Sequence, residues 1–253
     1  MLQEVLPASL FAVLLVFVRV GAAMMQMPGI GDPYVSPRAR LLFALLLALA
    51  VTPVLSPVLP GQPESVAVLF VLLAGELFIG FFLGALAKVM MSALVVAGMV
   101  MAYMSALANA LVNDPAAQQQ GSIAGSFLNV TALVLIFALN LHHLLIGAVV
   151  DSYAIFPPGD LPPVGDFSQL MTDTVARAFL VGIQLGAPFM VVGLVLYLGM
   201  GLLGRLMPQV QIFFVGMPLQ IALGISLLMV SLPVAMAWFM GAFEDTFIPF
   251  TSG

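Results

Sequence analysis

Seven stretches of this chain are apolar over lengths that suit helices in a membrane: residues 5–24, 41–59, 66–87, 89–111, 123–150, 175–206 and 212–243. A helix takes roughly 20 apolar residues to cross a bilayer. Charged residues make up 7% of the chain, where a soluble domain carries about 25%. Hydrophobic residues make up 63%, and the mean hydropathy is +1.22. One soluble core cannot absorb that much apolar side chain. The solvent is therefore a bilayer or a tightly packed membrane assembly, and the predicted class is an all-α membrane protein.

Other classes fall away on charge and composition. The 11 acidic and 6 basic residues leave a net charge of −5 with no basic run, which excludes a nucleic-acid partner. Cysteine is absent, so disulfides, thiolate metal sites and cysteine nucleophiles are excluded. The first apolar run is preceded by Glu4 and meets its first base, Arg19, only inside the run. A cleaved signal wants a basic segment ahead of the run, so this one is read as a retained first span.

The apolar stretches are long but interrupted. The third and fourth abut at Lys88, as two spans or one long helix with a bend. Pro188 interrupts the sixth, and Pro218 and Pro233 the seventh. In lipid such breaks persist only where neighbouring protein or water satisfies the freed backbone groups. The predicted fold is thus one of long, broken helices that form hairpins and pack against partners. "PGIGDPYVSPRAR" and "SPVLPGQPES" read as turns, and "DSYAIFPPGDLPPVGDFSQLMTD" as the longest linker. None marks a domain boundary, so residues 1–253 read as a single helical domain. With seven crossings, Arg38, Arg40, Lys88 and Arg177 share one side and Arg205 falls opposite.

Sites for chemistry are few. His142 and His143 are adjacent, hence about 100° apart on a helix and unable to face one metal together. No HExxH, nucleophile-elbow or phosphate-loop pattern occurs, and an enzyme reading finds no support. Arg19 and Glu76 lie inside apolar runs, where a charge costs a few kcal/mol on insertion scales. Each reads as a structurally paired group or a helix-end group that snorkels, ahead of an ion relay, because a relay needs several titratable groups in series. Gly80 and Gly84, Gly182 and Gly186, and Gly121 and Gly125 have the spacing that lets helices approach closely. The 17 methionines suit adaptable packing or sealing. "GRLMPQVQIFFVGMPLQIALG" reads as a helical hairpin with a polar tip: Pro208, Gln209 and Gln211, then Gln220 beyond Pro218. Amides there need hydrogen-bond partners. The amide-rich stretch "ALANALVNDPAAQQQGSIAG" is by composition either a solvated connector or a polar lining.

Taken in order, these residues resemble the FliR family, the flagellar type III export-gate subunit whose injectisome relative is SctT. "RVGAAMMQMPGIGDPYVSPRARLLFALLLALAVTPVL" is similar to the family's first hairpin. "GELFIGFFLG" resembles its GE-x-x-x-G pattern, and Asp114–Pro115 follows the Gly/Ala-rich helix. "FLNVTALVLIFALNLHHLLIGAVVDSYAIFPPG", with Asn140, resembles its central helix, and "LMPQVQIFFVGMPLQIALG" its late Pro-Gln hairpin. Leu141 departs from the pattern, where flagellar members often have Gly. The resemblance implies a subunit without catalysis or cofactor. Its place would be the bacterial inner membrane, in the flagellar basal body. Its partners would be FliP- and FliQ-like subunits in a helical hetero-oligomer, FlhB- and FlhA-like proteins, and lipid. It would form the inlet for unfolded flagellar substrates. The resemblance also implies that residues 107–125 project into the pore as a plug, with Asn109, Asn113, Asp114, Pro115, Gln118, Gln119 and Gln120 as its polar part. A secondary transporter with broken helices is the alternative.

Overall fold

A computed structural model describes residues 2–106, 122–160, 164–207 and 212–251. Among these the regular structure is helical: α1 (Leu2–Met24), α2 (Pro37–Leu55), α3 (Val66–Met104), α4 (Ile123–Ala138), α5 (Leu141–Ile155), α6 (Val164–Leu206), α7 (Ile212–Phe247) and a closing 3₁₀ turn (Ile248–Phe250). The helix starts follow local chemistry. Ser36 caps α2 by accepting from the Ala39 amide at 3.3 Å, and Pro37 occupies the first turn, where its missing N–H costs nothing. Ser122 caps α4 by accepting from the Gly125 amide at 2.9 Å.

Two sequence expectations change, and one open choice is settled. The third and fourth stretches join at Lys88 in one helix, α3, of 39 residues. Lys88 stays exposed and donates from Nζ to Gln26 Oε1 at 3.2 Å, so its stem lies along α3 while its charge reaches a polar partner. The fifth stretch does break. α4 and α5 meet at a 73° bend, where Asn140 has φ 60° and ψ 19°. Asparagine is among the few residues that visit the left-handed region readily. The linker read over residues 151–173 shrinks, since α5 runs to Ile155 and α6 begins at Val164. Among the described residues four helices are long and apolar enough to span, or five counting the bent α4–α5 pair as one.

The helices fall into two compact units. The first takes in α1, α2, α3 as far as Met90, the chain from Ile136 to Thr174, and the end from Phe243. In it Phe11, Leu15 and Leu72 form a buried cluster flanked by Leu59, Leu69 and Leu73. Phe167 packs its ring on Phe82 (centroids 4.3 Å apart), Phe156 (4.9 Å) and Phe78 (5.6 Å). Gly80 and Gly84 bring α3 onto the backbone of α1. A Cβ on Gly80 would strike the Arg19 carbonyl, and one on Gly84 would lie 2.5 Å from the Ala23 carbonyl.

The second unit comprises α3 from Met91, most of α4, α6 from Val175 and α7 to Ala242. Glycines set its contacts too. A Cβ on Gly182 would lie 2.7 Å from the Ala93 carbonyl, and one on Gly186 2.7 Å from Val100 Cγ1. Gly98 and Gly125 meet backbone to backbone. Gly121, the partner expected for Gly125, lies outside the described residues. Met24, Met27, Met90, Met91 and Met101 are buried in their respective units, the gap-filling role open to a flexible side chain.

Candidate functional site

The most constrained polar group in the first unit is Arg19, which sits in α1 with no exposed surface. A guanidinium there must be neutralised and have its donors met, or α1 could not be buried. Glu76 of α3, 1% exposed, supplies the charge. Arg19 Nε donates to Glu76 Oε2 at 2.7 Å and Nη2 to Oε1 at 2.8 Å. The planar fork thus meets the carboxylate through two parallel bonds, the geometry that lysine cannot provide. The remaining donors go to the end of α5. Nη1 reaches Ser152 Oγ at 3.1 Å and Nη2 the Phe156 carbonyl at 2.9 Å. Ser152 in turn donates to the Val149 carbonyl at 2.6 Å. The Arg19 Cζ lies 3.7 Å from the Tyr153 ring centroid, so the ring face covers the cation.

This arrangement pairs the two intramembrane charges with each other. Arg19 and Glu76 form a paired, hydrogen-bonded structural node that ties α1 to α3 and α5. A relay would need titratable groups in series, whereas the further hydrogen bonds of this pair among the described residues run to a serine hydroxyl and a backbone carbonyl, with the Tyr153 ring against the guanidinium. Gly80 and Gly84 belong to the same node, because they permit the helix approach that lets the two charges meet. Beside it a cavity of about 270 Å³ is lined by Gly75, Glu76, Ile79, Pro157 and Gly159, among others.

The other expected residues stand apart. Asn140 is exposed at the α4–α5 bend and makes no side-chain cap. His142 stacks on Phe137 with centroids 5.0 Å apart, and its Nδ1 is buried without a partner among the described residues. Gln220 of α7 is 5% exposed, and its Nε2 likewise has none. Both arms of the late hairpin are helical, α6 ending at Leu206 and α7 starting at Ile212. Its tip residues Pro208 and Gln209, and Gln211 beside them, lie outside the described residues. So do the plug candidates Asn109, Asn113, Asp114, Pro115, Gln118, Gln119 and Gln120.

Sequence reasoning misses Ser152, Tyr153 and the Phe156 carbonyl, because "DSYAIF" reads as the start of a linker. A usable signal is present: an apolar helix bearing an arginine needs acceptors beyond a single carboxylate, and Ser-Tyr at the end of an apolar run supplies them. Ala106 is missed as well, with φ 58° just after α3.

Comparison with known proteins gives a consistent picture. The family described as bacterial export proteins, family 1, matches residues 10–246. The flagellar biosynthetic protein FliR of Caulobacter vibrioides is 41% identical over 231 residues, covering 91% of this chain and 92% of that protein. FliR of Escherichia coli is 29% identical over 231 residues, 90% of this chain and 87% of its own length. The Yop proteins translocation protein T of Yersinia pestis is 26% identical over 179 residues, 69% of each.

Proposed function

This chain belongs to the FliR family of bacterial export proteins and is a membrane component of the flagellar type III export apparatus, and from that premise we propose that it is the FliR-type subunit of the export gate. In this reading it sits in the inner membrane at the flagellar basal body and assembles with FliP- and FliQ-like subunits. The assembly forms the channel by which unfolded flagellar proteins leave the cytoplasm, in contact with FlhB- and FlhA-like proteins. The subunit works by shape and hydrogen bonding, without catalysis.

The observation that carries the reading is the likeness to FliR along nearly the whole chain. The state of the second unit supports it. Gln220 and Ser231 hold buried polar atoms without partners among the described residues, on a helix that is otherwise largely exposed and apolar. Groups of that kind are expected where further helices complete the packing.

Within the channel, we assign to a plug residues 107–121 of the expected stretch 107–125, since Ser122 caps α4 and Gly125 packs on Gly98. Amides and small residues can bond to one another and to water, then yield to a passing chain without a fixed charge trap. The test is removal of residues 110–120 from the assembled complex. Leakage of ions and small molecules is expected to rise, and leakage unchanged from the parent complex refutes the plug. Affinity purification tests the wider reading. The tagged chain should bring down FliP- and FliQ-like chains in fixed ratio, whereas a chain stable alone and stabilised by a small solute would be a transporter.

A further inference from the structure

Just past the end of α3, within the second unit, the backbone takes an unfavourable turn. Ala106 has φ 58°, a region that penalises any residue with a Cβ and that glycine usually fills after a helix C-terminus. Ala106 is also buried. Ser105 holds the turn from one side, giving both its amide (3.0 Å) and its hydroxyl (2.6 Å) to the Met101 carbonyl. From the other side α7 presses on it. A Cβ placed on Gly224 would strike the Ser105 Cβ.

One helical turn before Gly224 lies Gln220, buried and with its Nε2 unpaired among the described residues. Met104, Ser105, Gln220 and Gly224 line one void of about 10 Å³, too tight for a hydration shell. A buried amide donor without a partner is costly, and the last turn of any helix carries carbonyls that no helical N–H reaches. The Gln220 donor borders the void that Met104 and Ser105 also line and is not bonded to either of them.

We propose that the Ser105–Ala106 turn is a two-position joint. In the position described, Ala106 is left-handed and Gln220 is unpaired, and the turn is held by the two Ser105 bonds and its seat on Gly224. In the second position Ala106 returns to φ below zero and Gln220 Nε2 donates to a carbonyl of the last turn of α3. That exchange gives up the Ser105 seat and relieves the backbone and the amide together. The chain runs on from Ala106 into residues 107–121, so the joint sets where that stretch departs from α3. This consequence rests on the plug reading, but the joint itself does not.

Hydrogen–deuterium exchange over residues 101–106, in the assembled membrane complex, reads the joint directly. Ala106→Gly removes the cost of the left-handed backbone, and Gln220→Met removes the donor while keeping side-chain length. Both favour the position described and should slow exchange, Ala106→Gly by about five- to thirtyfold. Gly224→Ala unseats Ser105 and should speed it. Complex yield on size-exclusion chromatography confirms that each variant assembles. If Ala106→Gly and Gln220→Met leave exchange unchanged or faster, the joint is refuted, whatever the channel leaks. Exchange that responds as expected, alongside a 110–120 deletion that does not leak, keeps the joint and removes the plug.

Discussion

The charged and the neutral buried polar groups are handled in opposite ways. In the first unit, Arg19 is the costliest group that an apolar helix could carry. It is met by a bidentate carboxylate, a serine hydroxyl, a backbone carbonyl and an aromatic face, all from the same unit. Much milder groups go unmet in both units: His142 Nδ1 and the Tyr153 hydroxyl in the first, and the Gln220 amide and the Ser231 hydroxyl in the second, have no partner among the described residues. The helix that carries Gln220 and Ser231, α7, has 11% of its apolar window buried, against 33% for α3. A charge cannot wait for an assembly partner, because the chain would not fold with it open. A neutral amide or hydroxyl can wait, at a cost of roughly 1–3 kcal/mol each. The contrast separates what the chain completes by itself from what it leaves for its neighbours.

The sharpest break of that contrast is Glu76→Gln. It leaves Arg19 buried with a neutral partner and should cost about 3–5 kcal/mol. Measured as thermal stability of the detergent-purified complex, the single variant should be severely destabilised or fail to accumulate. The double variant Arg19→Met, Glu76→Met removes both charges and keeps apolar bulk, so it should recover most of the loss. If the double variant is as poor as the single one, the pair does more than neutralise itself, and the structural reading of the node is wrong.

Gly80→Ala is the next largest test. Its methyl group would meet the Arg19 carbonyl, and a backbone cannot swing aside as a long side chain can. Pushing α3 off α1 should cost roughly 1–3 kcal/mol by overpacking. It should also lengthen the Arg19–Glu76 bonds, so its effect should shrink in the Met/Met background, where no bond remains to be stretched. Purely additive losses in that double-mutant cycle would mean that glycine spacing and ion pair are independent.

Most of the first unit is legible in the sequence at the level of parts. Arg19 and Glu76 stand out because a charge inside an apolar run demands a partner, and the Gly80–Gly84 spacing because bare backbone on one helix face invites a close neighbour. Their meeting is not legible, since residues 57 apart in sequence declare no contact. The α4–α5 bend escapes for a related reason: hydropathy runs unbroken across Asn140, and only the backbone angle shows the break. Lys88 leaves two readings open. A charge between two apolar runs looks like a boundary, yet a lysine stem long enough to reach Gln26 lets the helix continue. The family, by contrast, is legible almost in full, because its ordered motifs survive in positions that no single physical rule singles out.

Ser231→Ala carries the smallest expected effect and tests the idea of groups left for neighbours most directly. Elsewhere in these helices, serines and threonines return their hydroxyls to the carbonyl a turn earlier, as Ser226 does to Ala222 at 2.8 Å and Thr172 to Ser168 at 2.8 Å. Ser231 shows no such bond, although its oxygen is buried beside a cavity of about 220 Å³ lined by Pro188, Val234 and Trp238, among others. In the isolated chain the hydroxyl has nothing to lose, so Ser231→Ala should be neutral or stabilising by less than about 1 kcal/mol. In the assembled complex the sign should reverse, because a neighbouring helix that bonds to this hydroxyl would lose its partner. Thermal unfolding of the chain alone and of the complex, run side by side, reads both signs. Equal shifts in the two samples would mean that Ser231 serves no neighbour, and the idea that neutral groups are left for neighbours would lose its most direct support.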